Sequence, residues 1–142
     1  MGYRALICKP YPLINLTFAG MILVILVYSG IFSATKDNHP VPSFYEKITG
    51  SPSPGSGLSR SFSEIVRLRF DSALEFNPYG IRVFLFFFIQ LFLRGLIIWL
   101  YQTNSIRAGR LVATDAVLSA GLFVVCFRDF IRFWITSLWS VI

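Results

Sequence analysis

Residues 13–33 read LINLTFAGMILVILVYSGIFS, an apolar stretch that contains no charged side chain. Because an α-helix rises about 1.5 Å per residue, such a stretch is long enough to cross the roughly 30 Å hydrocarbon core of a bilayer. Hydrophobic residues make up 55% of the chain, charged residues only 14%, and the mean hydropathy is +0.65. A small soluble domain could not bury the fifteen phenylalanines, since much of its surface stays in water. The composition therefore predicts an integral membrane protein.

Two further stretches have the same character. Residues 81–101 (IRVFLFFFIQLFLRGLIIWLY) form a second predicted span, in which Gln90 and Arg94 are the polar interruptions. Residues 111–127 form a third, and the aromatic-rich end after it favours one long helix that extends toward residue 142 with its last turns at the membrane interface. The alternative is that this end lies along the interface as a separate segment. The predicted fold class is an all-α integral membrane protein, a single membrane domain with three transmembrane helices.

The connection between the first two spans has a different composition. Residues 34–60 contain many Gly, Pro and Ser residues and are predicted to form a loop. Residues 61–76 place apolar side chains at helical steps of three and four, which predicts an amphipathic helix at the membrane interface. The run Ser61-Phe62-Ser63-Glu64 matches the capping-box pattern, which puts the start of this helix at Ser61. Asn77-Pro78 is a suitable cap and first residue for the span that follows.

The loop carries a resemblance to a known family. The run Ser53-Pro54-Gly55-Ser56-Gly57-Leu58-Ser59-Arg60-Ser61, followed by Asn77-Pro78-Tyr79-Gly80 and an aromatic-rich span with Gln90, resembles a small prokaryotic membrane family of unknown function marked by C-P-x-C-G-x-T-R. The resemblance covers roughly residues 45–96 and implies the inner (cytoplasmic) membrane of a bacterium. In the family, the cysteine pair could hold a metal or form a redox couple. Here Ser53 and Ser56 stand at the cysteine positions, and serine hydroxyls neither form disulfides nor replace thiolate ligands.

Anion binding is the chemistry that the loop retains. Backbone amides of a Gly-rich turn and the start of a helix attract negative charge, and the candidate residues are Ser56, Gly57, Ser59 and Arg60. A lipid phosphate or an acidic group of a partner would suit such a site. The alternative, without a bound anion, is a tight turn whose Arg60 contacts lipid headgroups or pairs with a neighbouring carboxylate. Since the phosphate-loop pattern G-x-x-x-x-G-K-[ST] is absent, the tight turn is favoured.

Arg94 and Asp115 are charged residues within predicted spans. If the second and third spans are antiparallel, both residues lie roughly 8–11 Å below the same surface, at about 1.5 Å per residue. An ion pair between them would neutralise two groups that are each costly in lipid, so an interhelical clamp is predicted. Arg94 reaching up to the interface is one alternative, and a role in transport or proton relay is another. A relay needs a chain of titratable groups, and only one acid is available.

The sequence lacks the motifs of several functional classes. His39, the single histidine, precedes a proline in the loop and has no partner set for metal binding or acid–base catalysis. Dinucleotide, paired-cysteine zinc and haem motifs are absent, so no catalytic residue, metal or cofactor is expected. The net charge of +6 does not indicate nucleic-acid binding, because the basic residues are scattered at the edges of the spans, where such residues meet anionic headgroups.

These observations leave three functional hypotheses. The first is a non-catalytic accessory subunit, whose partners are other integral membrane proteins and membrane lipids and which stabilises a larger membrane complex. The second is a module that binds lipid phosphate or another anion at Ser53–Arg60. The third is a transporter or redox member of the cysteine-bearing family that has lost its cysteine pair.

Overall fold

The computed structural model describes residues 10–32, 53–103 and 108–139. Residues 34–52 of the predicted loop, with His39 among them, and the last three residues of the predicted helical extension lie outside the described part. The described helices, numbered in chain order, are α1 (Pro10–Ile31), α2 (Leu58–Val66), α3 (Phe70–Phe76), α4 (Gly80–Thr103) and α5 (Ala108–Trp139).

Three of these helices, α1, α4 and α5, are long and apolar enough to cross a membrane, judged by length and composition. Their outward faces carry large apolar side chains, such as Val24 (68% exposed), Trp99 (59%) and Val117 (71%). A water-soluble monomer rarely exposes apolar surface on this scale. The predicted fold class is confirmed in that the described chain is all-helical with three span-length helices, whereas the interfacial position of α2 and α3 stays a prediction.

The segment predicted as one helix over residues 61–76 is two helices in the structure. The first, α2, begins at Leu58 because Gly57 precedes it with φ 76° and the next residues can turn directly into the helix. It ends at Val66 in a Schellman motif: the Arg69 N–H donates to the Glu64 carbonyl at 3.0 Å, and Leu68 has φ 60°. The left-handed residue reverses the chain, so the second helix, α3, starts in a new direction.

The capping-box prediction was therefore wrong. Ser61 and Glu64 lie inside α2 and are buried, so Ser61 cannot cap the helix start. The Glu64 carboxylate pairs instead with Arg69, beyond the end of the helix, at 2.8 Å. Burial of this carboxylate is tolerated because a cation neutralises it.

The apolar core lies where α2 and α3 pack against the first turns of α4. Its buried members are Phe62, Ile65, Ala73 and Val83, and side chains of α4 and α5 pack around them. The long helices α1 and α5 both pack on α4 but touch each other little. This arrangement leaves a space between α1 and α5 along one face of α4.

Candidate functional site

Arg94 is the centre of a polar cluster that joins the three long helices. One terminal nitrogen, Nη1, donates to Asn15 Oδ1 of α1 at 2.6 Å and to Asp115 Oδ2 of α5 at 2.7 Å. The other, Nη2, donates to Gln90 Oε1 at 2.8 Å and to the Ser119 hydroxyl at 2.5 Å. Each terminal nitrogen thus serves two acceptors, and Arg94 contacts both neighbouring long helices.

The acceptors of this cluster are themselves held in place. The Tyr11 hydroxyl donates to Asp115 Oδ2 at 2.7 Å, and Ser119 donates to Asp115 Oδ1 at 3.1 Å. Asn15 donates through Nδ2 to the Tyr11 carbonyl at 3.0 Å. We call the six residues Tyr11, Asn15, Gln90, Arg94, Asp115 and Ser119 the Arg94 cluster.

The structure brings together the two residues predicted as an ion pair. The side chains of Arg94 and Asp115 are only 11% and 6% exposed, so their mutual neutralisation and the surrounding hydrogen bonds offset a large desolvation cost. Tyr11, Asn15 and Ser119 were not predicted from the sequence. A signal was present, because Asn15 follows Tyr11 by four positions and Ser119 follows Asp115 by four, the spacing that puts side chains on one helix face.

A cavity of about 560 Å³ lies beside the Arg94 cluster, between α1, α4 and α5. Gln90, Arg94 and Ser119 form its polar end. The remaining wall consists of apolar side chains from all three helices: Phe18, Met21, Ile22, Ile25, Phe86, Phe87, Ala120, Phe123 and Phe127. Gln90 is 4% exposed, and its Nε2 has no hydrogen-bond partner among the described residues.

The other end of α1 is held by α2. Arg67 donates through Nη2 to the Gly30 carbonyl at 3.1 Å and through Nη1 to the Phe32 carbonyl at 3.3 Å. The Ser63 hydroxyl also donates to the Phe32 carbonyl. Carbonyls at a helix C-terminus have no partner within the helix, so Arg67 and Ser63 supply the hydrogen bonds that α1 lacks at its end.

Asn77 fixes the Gly/Pro/Ser turn against the start of α4. Its Nδ2 donates to the carbonyls of Pro54 and Ser56 at 2.7 and 2.9 Å, and its Oδ1 accepts from the Tyr79 N–H at 2.8 Å. A Cβ at Gly57 would overlap the carbonyl of Phe76 at the end of α3. The turn is therefore packed so closely against α3 and α4 that only glycine fits at position 57.

The four predicted anion-binding residues lie together at this turn. The Ser56 N–H donates to the Ser53 carbonyl at 2.9 Å, and the Leu58 N–H to the Gly55 carbonyl at 3.2 Å. These two amides are thus used within the turn itself. Arg60 is exposed, with its guanidinium 6.0 Å from the centre of the Phe76 ring. Gly57 and Ser59 flank the first residue of α2. The anion site at Ser56, Gly57, Ser59 and Arg60 stays a prediction.

Ser53 and Ser56, at the two cysteine positions of the resembled motif, are neighbours in space. Their hydroxyl oxygens are 3.5 Å apart, and the Ser53 N–H donates to the Ser56 hydroxyl at 3.1 Å. Cysteines at these two positions would lie side by side. Within residues 10–32, 53–103 and 108–139, no group of three or more His, Cys, Asp or Glu residues is arranged to hold a metal ion.

Part of the chain matches a known family. Residues 44–91 match the model of a family described as "Protein of unknown function (DUF2752)". The matched segment contains the turn, α2, α3 and the first half of α4, so it includes Gln90 but not Arg94 or Asp115. No curated protein and no solved structure matches the chain. The predicted resemblance is confirmed to the extent that a family of unknown function matches this segment, and the cysteine motif itself stays a prediction.

Proposed function

We propose that this chain is a small non-catalytic subunit of a larger complex in the bacterial inner membrane, and that the outer faces of its long helices bind helices of other integral membrane proteins. The observation that carries the proposal concerns three glycines, one in the interior of each long helix. A Cβ added at Gly20, Gly95 or Gly121 would meet no atom of the described residues within 4 Å. Each glycine therefore makes a notch in the outer surface of its helix.

These glycines have no evident role in the part of the chain that the structure describes. Glycine in a helix interior costs roughly 0.5–1 kcal/mol relative to alanine. Among the described glycines, only Gly57 has a positive φ, so backbone strain does not require glycine at the three helical positions. In membranes, small residues let the backbones of two helices approach closely, whereas lipid chains need no such notch. The notches favour contact with another protein over contact with lipid alone.

The outer face of α4 is the best candidate for such contact. Leu85, Phe88, Phe92, Gly95 and Trp99 follow one another at alternating steps of three and four, the spacing of a helix seam that packs against a second helix. The four large side chains of this seam are between 44% and 66% exposed. We call these five residues the α4 seam. Its glycine lies between Phe92 and Trp99, where a knob of a partner helix would insert.

The test is gentle extraction of the chain from its native membranes, with the mass of the intact assembly read by mass spectrometry. Wild-type protein is expected at a fixed stoichiometry with other membrane subunits. Gly95→Leu is expected to weaken assembly at least about fivefold, since filling a packed helix contact costs roughly 1–3 kcal/mol. The variant should fold normally, because its side chain would enter open space.

Gly109→Leu is the matched control. Gly109 also faces open space but lies at the first turn of α5, away from the α4 seam, so this variant should assemble like the wild type. Recovery of the wild-type chain alone, or equal assembly of the Gly95→Leu and Gly109→Leu variants, would contradict the proposal.

The two other functional hypotheses have no specific observation in their favour. In Ser53–Arg60, two backbone N–H groups that could bind an anion already donate to carbonyls within the turn. The loss of a reactive cysteine pair agrees with the closeness of Ser53 and Ser56, but closeness alone names no activity. Both stay predictions.

A further inference from the structure

The side-chain amide of Gln90 contains a donor group, Nε2, that binds no acceptor among the described residues. Its Oε1 accepts from Arg94 Nη2 at 2.8 Å, and a guanidinium can only donate, so the orientation of the amide is fixed. Nε2 is then the atom that has no partner among the described residues, and Gln90 is only 4% exposed. Leaving a buried donor without an acceptor is unfavourable. Gln90 forms part of the wall of the adjacent cavity, so an acceptor that binds there would remove this cost once a small shift of the wall uncovers Nε2.

Water is a poor candidate for that acceptor. A buried water is stable when it has two to four polar partners. Apart from Gln90, the polar lining consists of Arg94 and Ser119, which already bind each other and Asp115. The rest of the wall is apolar, so an apolar molecule that carries its own acceptor fits the cavity better.

The occupant is expected to be neutral. The positive charge of Arg94 is balanced by Asp115 at 2.7 Å, and each terminal nitrogen of Arg94 already donates to two acceptors. An anionic group would therefore meet no uncompensated positive charge at this end of the cavity. A carbonyl oxygen is the simplest neutral acceptor for an amide N–H.

The walls of the cavity favour a flat ring. Five of the lining residues are phenylalanines: Phe18, Phe86, Phe87, Phe123 and Phe127. Aromatic rings pack well in offset-stacked and edge-to-face arrangements, and both already occur here: Phe123 stacks on Phe127 at 4.7 Å, and Phe86 meets Phe127 edge-on at 5.1 Å. A ring compound can continue this packing. The volume of about 560 Å³ is in the usual range for a small-molecule site.

The depth of Gln90 in the membrane makes the ester carbonyls of ordinary lipids poor candidates for the acceptor. Gln90 is ten residues from the start of α4 and thirteen from its end, which places it about 15 Å and about 20 Å from the two ends at about 1.5 Å per residue. This is the middle of the hydrocarbon core, whereas the ester carbonyls of phospholipids lie near the headgroups. The carbonyl must belong to a molecule that dissolves in the core as a whole.

We propose that this cavity binds a neutral carbonyl-bearing ring of the membrane-quinone class, with Gln90 Nε2 donating to a ring carbonyl. Because Arg94 binds Oε1, Nε2 is left as the donor for a ligand. Only binding is proposed, without electron transfer. This binding is independent of the proposed subunit role, because the cavity lies between α1, α4 and α5 and none of the α4 seam residues lines it.

The chain contains two glutamines, Gln90 and Gln102, which allows a direct test. Full-length protein with ¹⁵N-labelled glutamine is placed in lipid nanodiscs, and a benzoquinone with a decyl tail is added in steps. The side-chain NH₂ signal of Gln90 is expected to shift and saturate, while the signal of the exposed Gln102 stays in place. A Gln102→Glu variant identifies the two signals. An unchanged Gln90 signal would overturn the proposal.

Two substitutions test whether the quinone occupies the cavity itself. Ala120→Phe fills the cavity wall without removing a polar group, and we expect at least about tenfold weaker binding, equivalent to about 1.4 kcal/mol. Val125→Phe is the control, since Val125 is 61% exposed on α5 and does not line the cavity, and it should bind like the wild type. Equal binding by the two variants would place the quinone elsewhere and contradict the proposal.

A third arm tests a lipid as the occupant. The Gln90 signal is compared, without quinone, in nanodiscs of ester-linked phosphatidylcholine and of its ether-linked analogue, which lacks the carbonyls. Equal signals are expected. A difference between the two lipids, with no response to quinone, would assign the cavity to an acyl ester and overturn the ring proposal.

Discussion

At the residue scale, Arg94 connects all three long helices. It reaches acceptors on α1, on its own helix and on α5, and it is almost completely shielded from solvent. A second ion pair, Arg82 with Asp129, joins the same two helices α4 and α5 nearer the start of α4 but is more exposed, with side chains 29% and 22% exposed. The two pairs differ in burial, and burial determines how much stability is lost when one partner is removed.

We expect Asp115→Asn to destabilise the fold by about 3–5 kcal/mol, because it leaves the buried Arg94 charge without a counterion. Replacing both partners, in Arg94→Met with Asp115→Leu, should cost less than Asp115→Asn alone. Asp129→Asn is the matched control and should cost only about 1 kcal/mol. The measurement is the free energy of unfolding in mixed detergent micelles. Similar losses for the two single variants would show that Arg94 does not depend on Asp115.

At the element scale, the turn before α2 and the break after it determine the path of the chain between α1 and α4. Gly57 starts α2 from a left-handed conformation, and Leu68 ends it in another. Leu68 is 76% exposed, so its side chain contributes little packing to offset the unfavourable backbone. The local backbone, more than the apolar pattern, separates α2 from α3.

Gly57→Ala is expected to destabilise the protein by more than about 1 kcal/mol, since alanine is strained at positive φ and its methyl group would overlap a backbone carbonyl. Gly55→Ala is the matched control from the same turn. Its added Cβ would make only ordinary contacts, the nearest at 3.7 Å to the Ser53 hydroxyl, so its effect should be small. Thermal unfolding midpoints compare the two, and equal shifts would contradict this account of the turn.

Different features of the sequence predicted the structure with different accuracy. The three spans were predictable, because a long apolar run without charges has few soluble alternatives. Arg94 and Asp115 were recognisable because charge is rare in such runs. The spacing of Tyr11 and Asn15 puts them on one helix face, but it does not indicate which residues of a neighbouring helix they contact, so they were missed. The start of α2 was misplaced because Ser61 and Glu64 matched a cap pattern while Gly57 determined the backbone.

The cavity could not be predicted at all. A cavity arises from the angle at which helices diverge, and the apolar pattern of each helix is the same whether it faces a neighbour, a ligand or lipid. Gln90 was noticed as a polar interruption. Its unpaired Nε2 became evident only from the structure, in which Oε1 accepts a hydrogen bond from Arg94.

At the scale of the whole molecule, α1 is attached by polar contacts near both of its ends. Asn15 binds Arg94 at one end, and the carbonyls of Gly30 and Phe32 bind Arg67 at the other. Between these points, α1 forms one wall of the cavity. The two attachments are about 20 Å apart at about 1.5 Å per residue, so each can hold α1 when the other is lost.

Each attachment of α1 uses two side chains, Tyr11 and Asn15 at one end and Ser63 and Arg67 at the other. We expect Tyr11→Phe with Asn15→Leu, or Ser63→Ala with Arg67→Met, to leave α1 in place, and the double variant that carries both pairs to release it. Sites this far apart normally have additive effects on stability, but the position of α1 should change only in the double variant. Pulsed electron spin resonance between spin labels at positions 24 and 117, on the outer faces of α1 and α5, measures this position. A narrow distance distribution is expected for each pair alone and a broad one for the double variant.

Two controls accompany the measurement. The native cysteines Cys8 and Cys126 are replaced by serine so that only the introduced positions carry labels, and Thr136→Val, which alters a hydrogen bond within α5 alone, should leave the distances unchanged. A narrow distribution in the double variant would mean that apolar packing on α4 is sufficient to hold α1.

The dependence of α1 on Arg67 also orders events during synthesis. Arg67 donates to the carbonyls of residues 29, 30 and 32, and the first of these precedes it by 38 positions. The end of α1 leaves the ribosome before Arg67 does, and unpaired carbonyls are very costly in lipid. The end of the first helix must therefore stay hydrated at the membrane surface until residue 67 has also emerged, and its last turn can lose contact with water only afterwards.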